Sequence, residues 1–244
     1  MDIIAHRGAS HDAPENTLAA IRLGFAQGAD AVEIDLQLTR DHRVVAMHDL
    51  TARRTGRLRR AIRHLDLAQL KALDVGAWQG RAWAGERVPL LEEVLEILPP
   101  EKGLFLEIKS GPEILPFLLP LVKNRPGIAL ISFHQGTLVQ ARKVSRAIPL
   151  YWLSAYHRER RFRHRKPTPA QLLEISINSN FNGLNLASRR RLTRDFIDLA
   201  HAAGQKIYVW TTDQPRRARR WESLGINGLT TNRPGWLRAK LAAS

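Results

Sequence analysis

Four side chains suited to acid–base or metal chemistry lie close together in the amino-terminal part of the chain. His6 and His48 bracket a segment that holds two acidic residues two positions apart, Glu33 and Asp35. Each of the four falls on or directly after a short apolar run of the kind that forms a β-strand. Imidazoles can transfer protons, and carboxylates are ligands for hard cations. Metal-assisted hydrolysis of a phosphate ester uses this combination of groups.

A third carboxylate extends the candidate metal site. Glu33 and Asp35 stand at positions i and i+2, so on a strand both point to the same face. Two neighbouring ionised carboxylates repel each other unless a cation neutralises them, and salt bridges to arginine are the structural alternative. Glu107 lies near the end of the apolar run at 104–108 and is the third candidate ligand. Three carboxylates predict Mg²⁺ or Ca²⁺ rather than a soft metal.

Two cations and two aromatic residues complete the set of candidates. Lys109 follows Glu107 by two positions and therefore shares its face, where a phosphate oxygen would fit between the cation and the metal. Arg7, beside the first histidine, offers a guanidinium fork for a phosphate. Trp210 and Phe133 each end an apolar run. They are expected either in the wall of a pocket or in the core.

Short apolar runs alternate with helical patterns along almost the whole chain. The predicted strands cover residues 3–5, 31–36, 44–47, 104–108, 128–131, 150–153, 183–186, 206–210 and 228–230. Several lack a two-residue alternation, as expected of strands that are buried on both faces. About eight strands, each followed by a helix, predict an α/β fold of the (β/α)₈ TIM-barrel type, with a doubly wound open sheet as the alternative.

Local signals predict how individual elements begin and end. Asn16 is expected to cap the first helix and Gly28 to end it. Pro116 and Pro120 lie within the apolar pattern at 112–124, so that helix should start late or be kinked. Residues 49–89 are too many for a simple connecting loop. We expect them to form a small insertion that covers the carboxyl-terminal face of the barrel in a single domain of residues 1–244.

Composition excludes several classes of protein. With 44% hydrophobic residues the chain can bury a substantial core. Because the chain has no cysteine, disulfides, thiolate metal sites and a cysteine nucleophile are excluded. No run approaches 18 apolar residues, and no secretory leader precedes the first predicted strand. The sequence therefore predicts a cytoplasmic protein without a transmembrane span.

The net charge of +15 is concentrated in four basic clusters, at residues 53–63, 158–166, 189–194 and 216–220. Such clusters can attract an anionic substrate, an anionic membrane surface or nucleic acid, or they can be solvated helix faces in an arginine-rich chain. They lack interleaved aromatic residues apart from Phe162, which disfavours stacking on single strands. We expect weak membrane-surface contact at most and no nucleic-acid partner, and the sequence leaves the oligomeric state open.

The order of the motifs resembles that of one enzyme family. The chain carries HRG at 6–8, PENT at 14–17, E-x-D at 33–35 with LTRD after it, HD at 48–49, EIK at 107–109, SF at 132–133, WTTD at 210–213 and a closing GLTTNRP at 228–234. This arrangement is similar to that of the glycerophosphodiester phosphodiesterases, a branch of the phospholipase-C-like phosphodiesterase barrels. The resemblance covers nearly the whole chain.

The resemblance implies a role for each candidate residue. It assigns Glu33, Asp35 and Glu107 to one divalent cation, Mg²⁺ or Ca²⁺, and it assigns general acid/base catalysis to two histidines. The full set it implies is His6 and His48 for proton transfer, Arg7 and Lys109 for the phosphate, Glu15 and Asn16 around the metal or phosphate, and Trp210 with Phe133 around the substrate.

The implied reaction is hydrolysis of a glycerophosphodiester, a deacylated phospholipid head group, to glycerol 3-phosphate and an alcohol. Which histidine is the base stays open, as does the choice between attack by water and a cyclic phosphate. One alternative is a lysophospholipase D activity at a membrane, with Trp78 and Trp83 facing the lipid. Another is a nucleic-acid-binding scaffold on a barrel that has lost its activity. The sequence departs from the family pattern after HD, where it reads LTARRTG, and at Asn232, where the family usually has Asp.

Overall fold

The computed structural model describes residues 1–155, 167–188 and 192–243. Nine strands occur in these ranges. They are β1 (Asp2–His6), β2 (Ala31–Leu38), β3 (Val44–Ala46), β4 (Gly103–Ile108), β5 (Ile128–Ser132), β6 (Leu150–Ser154), β7 (Gly183–Ala187), β8 (Lys206–Trp210) and β9 (Gly228–Thr231).

Eight of these strands close into a parallel barrel. Their order is β1-β9-β8-β7-β6-β5-β4-β2, and β1 also pairs with β2. At the closure, Ala5 of β1 is in register with Val32 of β2 on one side and with Thr231 of β9 on the other. The predicted TIM barrel is therefore confirmed, and the alternative of an open sheet is wrong.

The strand predicted at 44–47 does not belong to the barrel, although its sequence resembles that of the barrel strands. It forms β3, which pairs antiparallel with β2, with Leu36 opposite Ala46. It is therefore an edge strand outside the barrel. Val44 and Ala46 pack in the main core and Val45 packs in a separate apolar cluster, and the end of β3 carries the chain toward His48.

Ten α-helices occur in the described ranges, and most of them alternate with the strands. They are α1 (Leu18–Ala26), α2 (Arg53–Gly56), α3 (Leu67–Lys71), α4 (Leu91–Glu96), α5 (Leu115–Val122), α6 (Gln135–Val144), α7 (Pro169–Asn178), α8 (Arg194–Ala202), α9 (Pro215–Ser223) and α10 (Pro234–Ala242). None of the helices in these ranges is long and apolar enough to cross a membrane.

The caps and prolines explain where two helices begin. Thr17 caps α1, because its Oγ1 accepts a hydrogen bond of 3.2 Å from the Ala20 amide. The predicted cap at Asn16 is wrong: that residue has a φ of 57° and its side chain turns toward β2. The late start expected at 112–124 is confirmed, since a 3₁₀ turn at Pro112–Ile114 precedes α5, which contains Pro120.

Side chains alternate between two environments along the barrel strands. On β2, Ile34 and Leu36 point outward and pack in the core beneath the helices. The inward face carries Ala31, Glu33 and Asp35, in order from the amino-terminal end. Lower in the barrel, aromatic rings such as Phe105, Tyr151 and Tyr208 pack together and fill the interior. Polar side chains therefore gather at the carboxyl-terminal end of the barrel.

The segment 49–89 forms a small apolar cluster of its own with β3, which includes Ile62 and Leu70. It touches the loop after β1, because Gln79 Nε2 donates a hydrogen bond of 3.3 Å to the Ser10 carbonyl. The role of this segment as an insertion over the carboxyl-terminal face stays a prediction.

Candidate active site

Three buried carboxylates meet at the carboxyl-terminal end of the barrel. Asp35 of β2 is directly in register with Glu107 of β4, and Glu33 stands on the same face of β2. Each offers an oxygen within 4.8 Å of the others. Burial, with repulsion from Asp35 and Glu107, raises the pKa of Glu33 well above its ordinary value. Burial and repulsion from Asp35 likewise raise the pKa of Glu107 to about 7.

Asp35 is the one member of the triad that its surroundings hold ionised. Burial would raise its pKa, but the charges of Arg7 and Lys109 and a hydrogen bond from Asn16 outweigh burial and lower it. Arg7 Nε lies 3.1 Å from Oδ2 and Lys109 Nζ 3.5 Å from Oδ1. Asn16 Nδ2 donates to Oδ2 at 2.8 Å, and Asn16 Oδ1 accepts from the Asp35 amide at 3.0 Å.

His6 ends β1 beside this triad and is held from behind by an amide. Its Nδ1 lies 2.7 Å from Asn232 Oδ1. Asn232 Nδ2 donates to Asp213 Oδ2 at 2.6 Å, which fixes the orientation of the amide. Because Oδ1 can only accept, His6 Nδ1 donates and the neutral ring keeps its lone pair on Nε2, 3.9 Å from Glu33. Burial and the charge of Arg7 lower the pKa of His6 to about 4.

His48 follows β3 and has a carboxylate behind it. Its Nδ1 lies 2.7 Å from Asp49 Oδ1, which leaves Nε2 for another partner. Burial would raise the pKa of Asp49, but hydrogen bonds from Arg54 and His48 outweigh burial and lower it. Gln37, two residues after Asp35 on β2, fixes the backbone here, since its Nε2 donates to the Met47 carbonyl at 3.0 Å.

The cations beside the triad are themselves anchored. Lys109 Nζ donates to Glu107 Oε1 at 2.8 Å. Arg7 NH1 donates to Glu15 Oε1 at 3.0 Å, and Arg54 contacts the same carboxylate at 2.7 Å. The sequence PENT therefore supplies Glu15, which positions the two guanidinium groups.

Two aromatic rings form an apolar wall near Lys109. The rings of Phe133, after β5, and Trp210, at the end of β8, meet edge to face with centroids 5.4 Å apart. Trp210 Nε1 donates to the Asn185 carbonyl at 3.1 Å. Lys109 Nζ lies 5.9 Å from the Phe133 ring. An anion-binding site and an apolar surface are thus adjacent.

The glycerophosphoryl diester phosphodiesterase family model matches residues 6–236 of the chain. This match includes every residue of the site. The chain belongs to this family. YhdW of Bacillus subtilis is 32% identical over 242 residues, which cover 97% of this chain and 96% of the relative. A glycerophosphodiester phosphodiesterase of Caldanaerobacter subterraneus is 29% identical over 246 residues, covering 95% and 94%.

A solved structure of similar fold agrees with the family assignment. It is that of a phosphodiesterase of Oleispira antarctica, in complex with the product sn-glycerol 3-phosphate. The TM-score is 0.87 at 27% sequence identity, and the alignment covers 99% of this chain and 97% of that one. The barrel described above is therefore the barrel of the phosphodiesterase family.

The donor set of this phosphodiesterase-family site could hold a divalent cation. Within the described residues, Glu33 Oε1 and Asp35 Oδ1 are buried without any hydrogen-bond partner. Buried polar oxygens of this kind are rare unless something else satisfies them. A hard cation takes oxygen ligands and offsets the repulsion within the triad. The acidic triad therefore fits the cation that the resemblance implies.

The structure gathers all the residues that the sequence singled out, and their individual roles stay predictions. Several contacts were missed, namely those of Gln37, Asp49, Arg54, Asp213 and Asn232. Spacing could have found the first two, since one shares the face of Asp35 and the other follows His48 directly. No local pattern joins the last two to His6. The basic cluster at 158–166 and part of that at 189–194 lie outside the described residues.

Proposed function

We propose that the chain hydrolyses glycerophosphodiesters to sn-glycerol 3-phosphate and an alcohol, by general acid/base catalysis with two histidines and a divalent cation. One observation carries this proposal. His6 and His48 both lie beside the buried triad: His6 Nε2 is 3.9 Å from Glu33, and His48 is near enough to Asp35 to lower the pKa of that carboxylate. The product found in the Oleispira antarctica relative supports the choice of substrate.

The chain's own residues bind and orient the phosphate. Arg7 and Lys109 supply positive charge at the triad and can donate to the non-bridging oxygens. A cation held by Glu33, Asp35 and Glu107 would supply Lewis-acid polarisation of a phosphoryl oxygen. The oxygen-only donor set favours Mg²⁺ or Ca²⁺. Trp210 and Phe133 offer an apolar surface for the glycerol carbons.

The partners of the two imidazoles suggest different roles for them. The Nδ1 of His6 donates to a neutral amide, so no carboxylate there stabilises an imidazolium, and Nε2 is free to accept a proton. The Nδ1 of His48 lies 2.7 Å from the carboxylate of Asp49, which orients the ring and leaves Nε2 for the substrate. We therefore assign His6 as the base that takes the proton of the nucleophile and His48 as the acid that protonates the leaving oxygen.

The test measures release of glycerol 3-phosphate from glycerophosphocholine and glycerophosphoglycerol. We expect His6→Ala and His48→Ala each to lower turnover by at least ~10²-fold, on the scale of general acid–base catalysis. His201→Ala, an exposed histidine on α8, is the matched control and should keep full activity. EDTA should abolish activity, and Mg²⁺ or Ca²⁺ should restore it. Near-normal turnover in both variants, or full activity after chelation, contradicts the proposal.

The alternative activity on lysophospholipids is not favoured. The Caldanaerobacter subterraneus relative is named a glycerophosphodiester phosphodiesterase, and the Oleispira antarctica structure holds the water-soluble product sn-glycerol 3-phosphate. The Trp78 ring faces Arg54, with 5.7 Å from the guanidinium carbon to the ring centroid, and its Nε1 donates to the Val75 carbonyl at 2.8 Å. These contacts give Trp78 a role within the protein itself.

A further inference from the structure

A cavity of about 690 Å³ shares Lys109 with the site around the carboxylate triad. Its walls come from the end of β2, from the chain after His48 and from the loop between β4 and α5. Lys109 lines this cavity and at the same time contacts Asp35 and Glu107. A group bound in the cavity would therefore lie beside a phosphate bound at Lys109.

Positive charge dominates the lining. Arg40, Arg63 and Lys109 contribute cations, and Glu113 is the one acidic residue that lines the cavity in the described chain. Arg40 is paired with Asp66. Arg63 is exposed and forms no salt bridge to an acid within the described ranges. It belongs to the basic cluster at 53–63, of which only Arg54 has a place in the site described above.

Ser110 also lines the cavity. Its Oγ is buried and forms no hydrogen bond to any of the described residues. Leu38 and Leu50 supply apolar surface along the same cavity.

The cavity lies away from the apolar wall. Phe133 follows β5 and Trp210 ends β8, whereas the cavity is built around β2 and the loop after β4. Lys109 stands between them, because it lines the cavity and its Nζ lies 5.9 Å from the Phe133 ring. A diester bound at Lys109 therefore meets an apolar surface on one side and a cationic cavity on the other.

We propose that this cavity binds the leaving alcohol of the diester and selects alcohols that carry an anionic group, such as a second phosphate, over those that carry an ammonium group. The inference rests on the proposed function and names the substrate class for it. Arg63 provides the discriminating charge, because its guanidinium has no acidic partner within the described residues.

The test compares three diesters that differ in the charge of the leaving alcohol: bis(glycerophospho)glycerol, glycerophosphoglycerol and glycerophosphocholine, which are anionic, neutral and cationic in that part. For the wild type we expect kcat/KM to decrease in that order. In Arg63→Glu the ratio of kcat/KM for the anionic substrate to that for the neutral substrate should fall about tenfold, the scale of reversing one charge near a protein surface. Arg63→Gln should give an intermediate ratio.

Arg59→Glu is the matched control, because Arg59 is exposed in the same basic cluster and does not line the cavity. It should keep the wild-type ratio. A ratio that is the same in the wild type and in Arg63→Glu overturns the inference, as does a wild-type preference for glycerophosphocholine. The proposed function fails in a different way, with no glycerol 3-phosphate released from any of the three substrates.

Discussion

The electrostatic cost of the carboxylate triad can be measured at Glu107. In Glu107→Gln the side chain keeps its shape and loses its charge. The pKa of Glu107 is raised from 4.5 to about 7 in the folded protein, by burial first and by repulsion from Asp35 second. The unfolded chain releases this proton near pH 4.5, while the folded chain keeps it up to about pH 7. Without a cation, the wild-type protein therefore loses stability as the pH rises between these values.

The size of the effect follows from the shift. At 1.36 kcal/mol for each pKa unit, the raised pKa of Glu107 lowers the unfolding free energy, relative to acid pH, by about 1 kcal/mol at pH 5 and by about 3 kcal/mol at pH 8. The glutamine variant does not have this cost. Its Glu33 also ionises more easily, because Glu107 is one of the groups that raise the pKa of Glu33. Both effects raise the unfolding free energy of the variant relative to that of the wild type at high pH.

The assay is urea unfolding in EDTA, of both proteins, at pH 5 and at pH 8. We expect the variant to gain stability over the wild type by about 2 kcal/mol more at pH 8 than at pH 5. Any cost of the substitution that does not depend on pH cancels in this comparison. Mg²⁺ or Ca²⁺ should reduce the stability difference between the variant and the wild type at pH 8. A ligand that binds only the folded state stabilises it, and the wild type keeps all three carboxylates that would bind the cation. An equal difference at the two pH values refutes the reasoning.

Two further predictions concern the amides around the site. Asn232→Ala removes the acceptor of His6 Nδ1 and should lower kcat more than it raises KM. Asn232→Asp keeps an acceptor and adds a negative charge beside His6. The acidic limb of the pH profile of kcat/KM should therefore move to higher pH. An unmoved limb would contradict the assignment of His6 as the base. Asn16→Ala loses both hydrogen bonds to Asp35 and should reduce the unfolding free energy by about 1–3 kcal/mol. Asn180→Ala, at a similar φ of 55° but exposed, is the control and should cost less.

The barrel and the triad could be predicted because each depends on local patterns. Uninterrupted apolar runs at regular spacing indicate strands that are covered on both faces. Glu33 and Asp35 interrupt one such run, and charges inside a buried strand indicate a site. β3 has the same apolar character, but a short run does not specify its pairing partner. Its position outside the barrel depends on the tight return of the chain after β2.

Asn16 shows why the rest could not be predicted from local rules. Its residue type favours a helix cap, and Thr17 next to it has the same preference. The buried carboxylate of Asp35 needs hydrogen-bond donors, and Asn16 provides one in place of capping α1. The partners of His6 pose a similar problem, since Asp213 and Asn232 approach it only after the barrel closes.

The pairing of β1 with β9 has a consequence for biosynthesis. His6 and Asn232 are separated by 226 positions in the chain. A ribosome adds about 5–20 residues per second, so β1 waits roughly 10–45 s for the strand that covers its second edge. During that interval the backbone of Ile3 and Ile4 offers an open edge to other strands, the kind of edge that promotes aggregation. Shortened chains that lack β9 would keep this edge open permanently and leave His6 without its acceptor, so if His6 acts as the proposed base, catalytic activity requires that the barrel has closed.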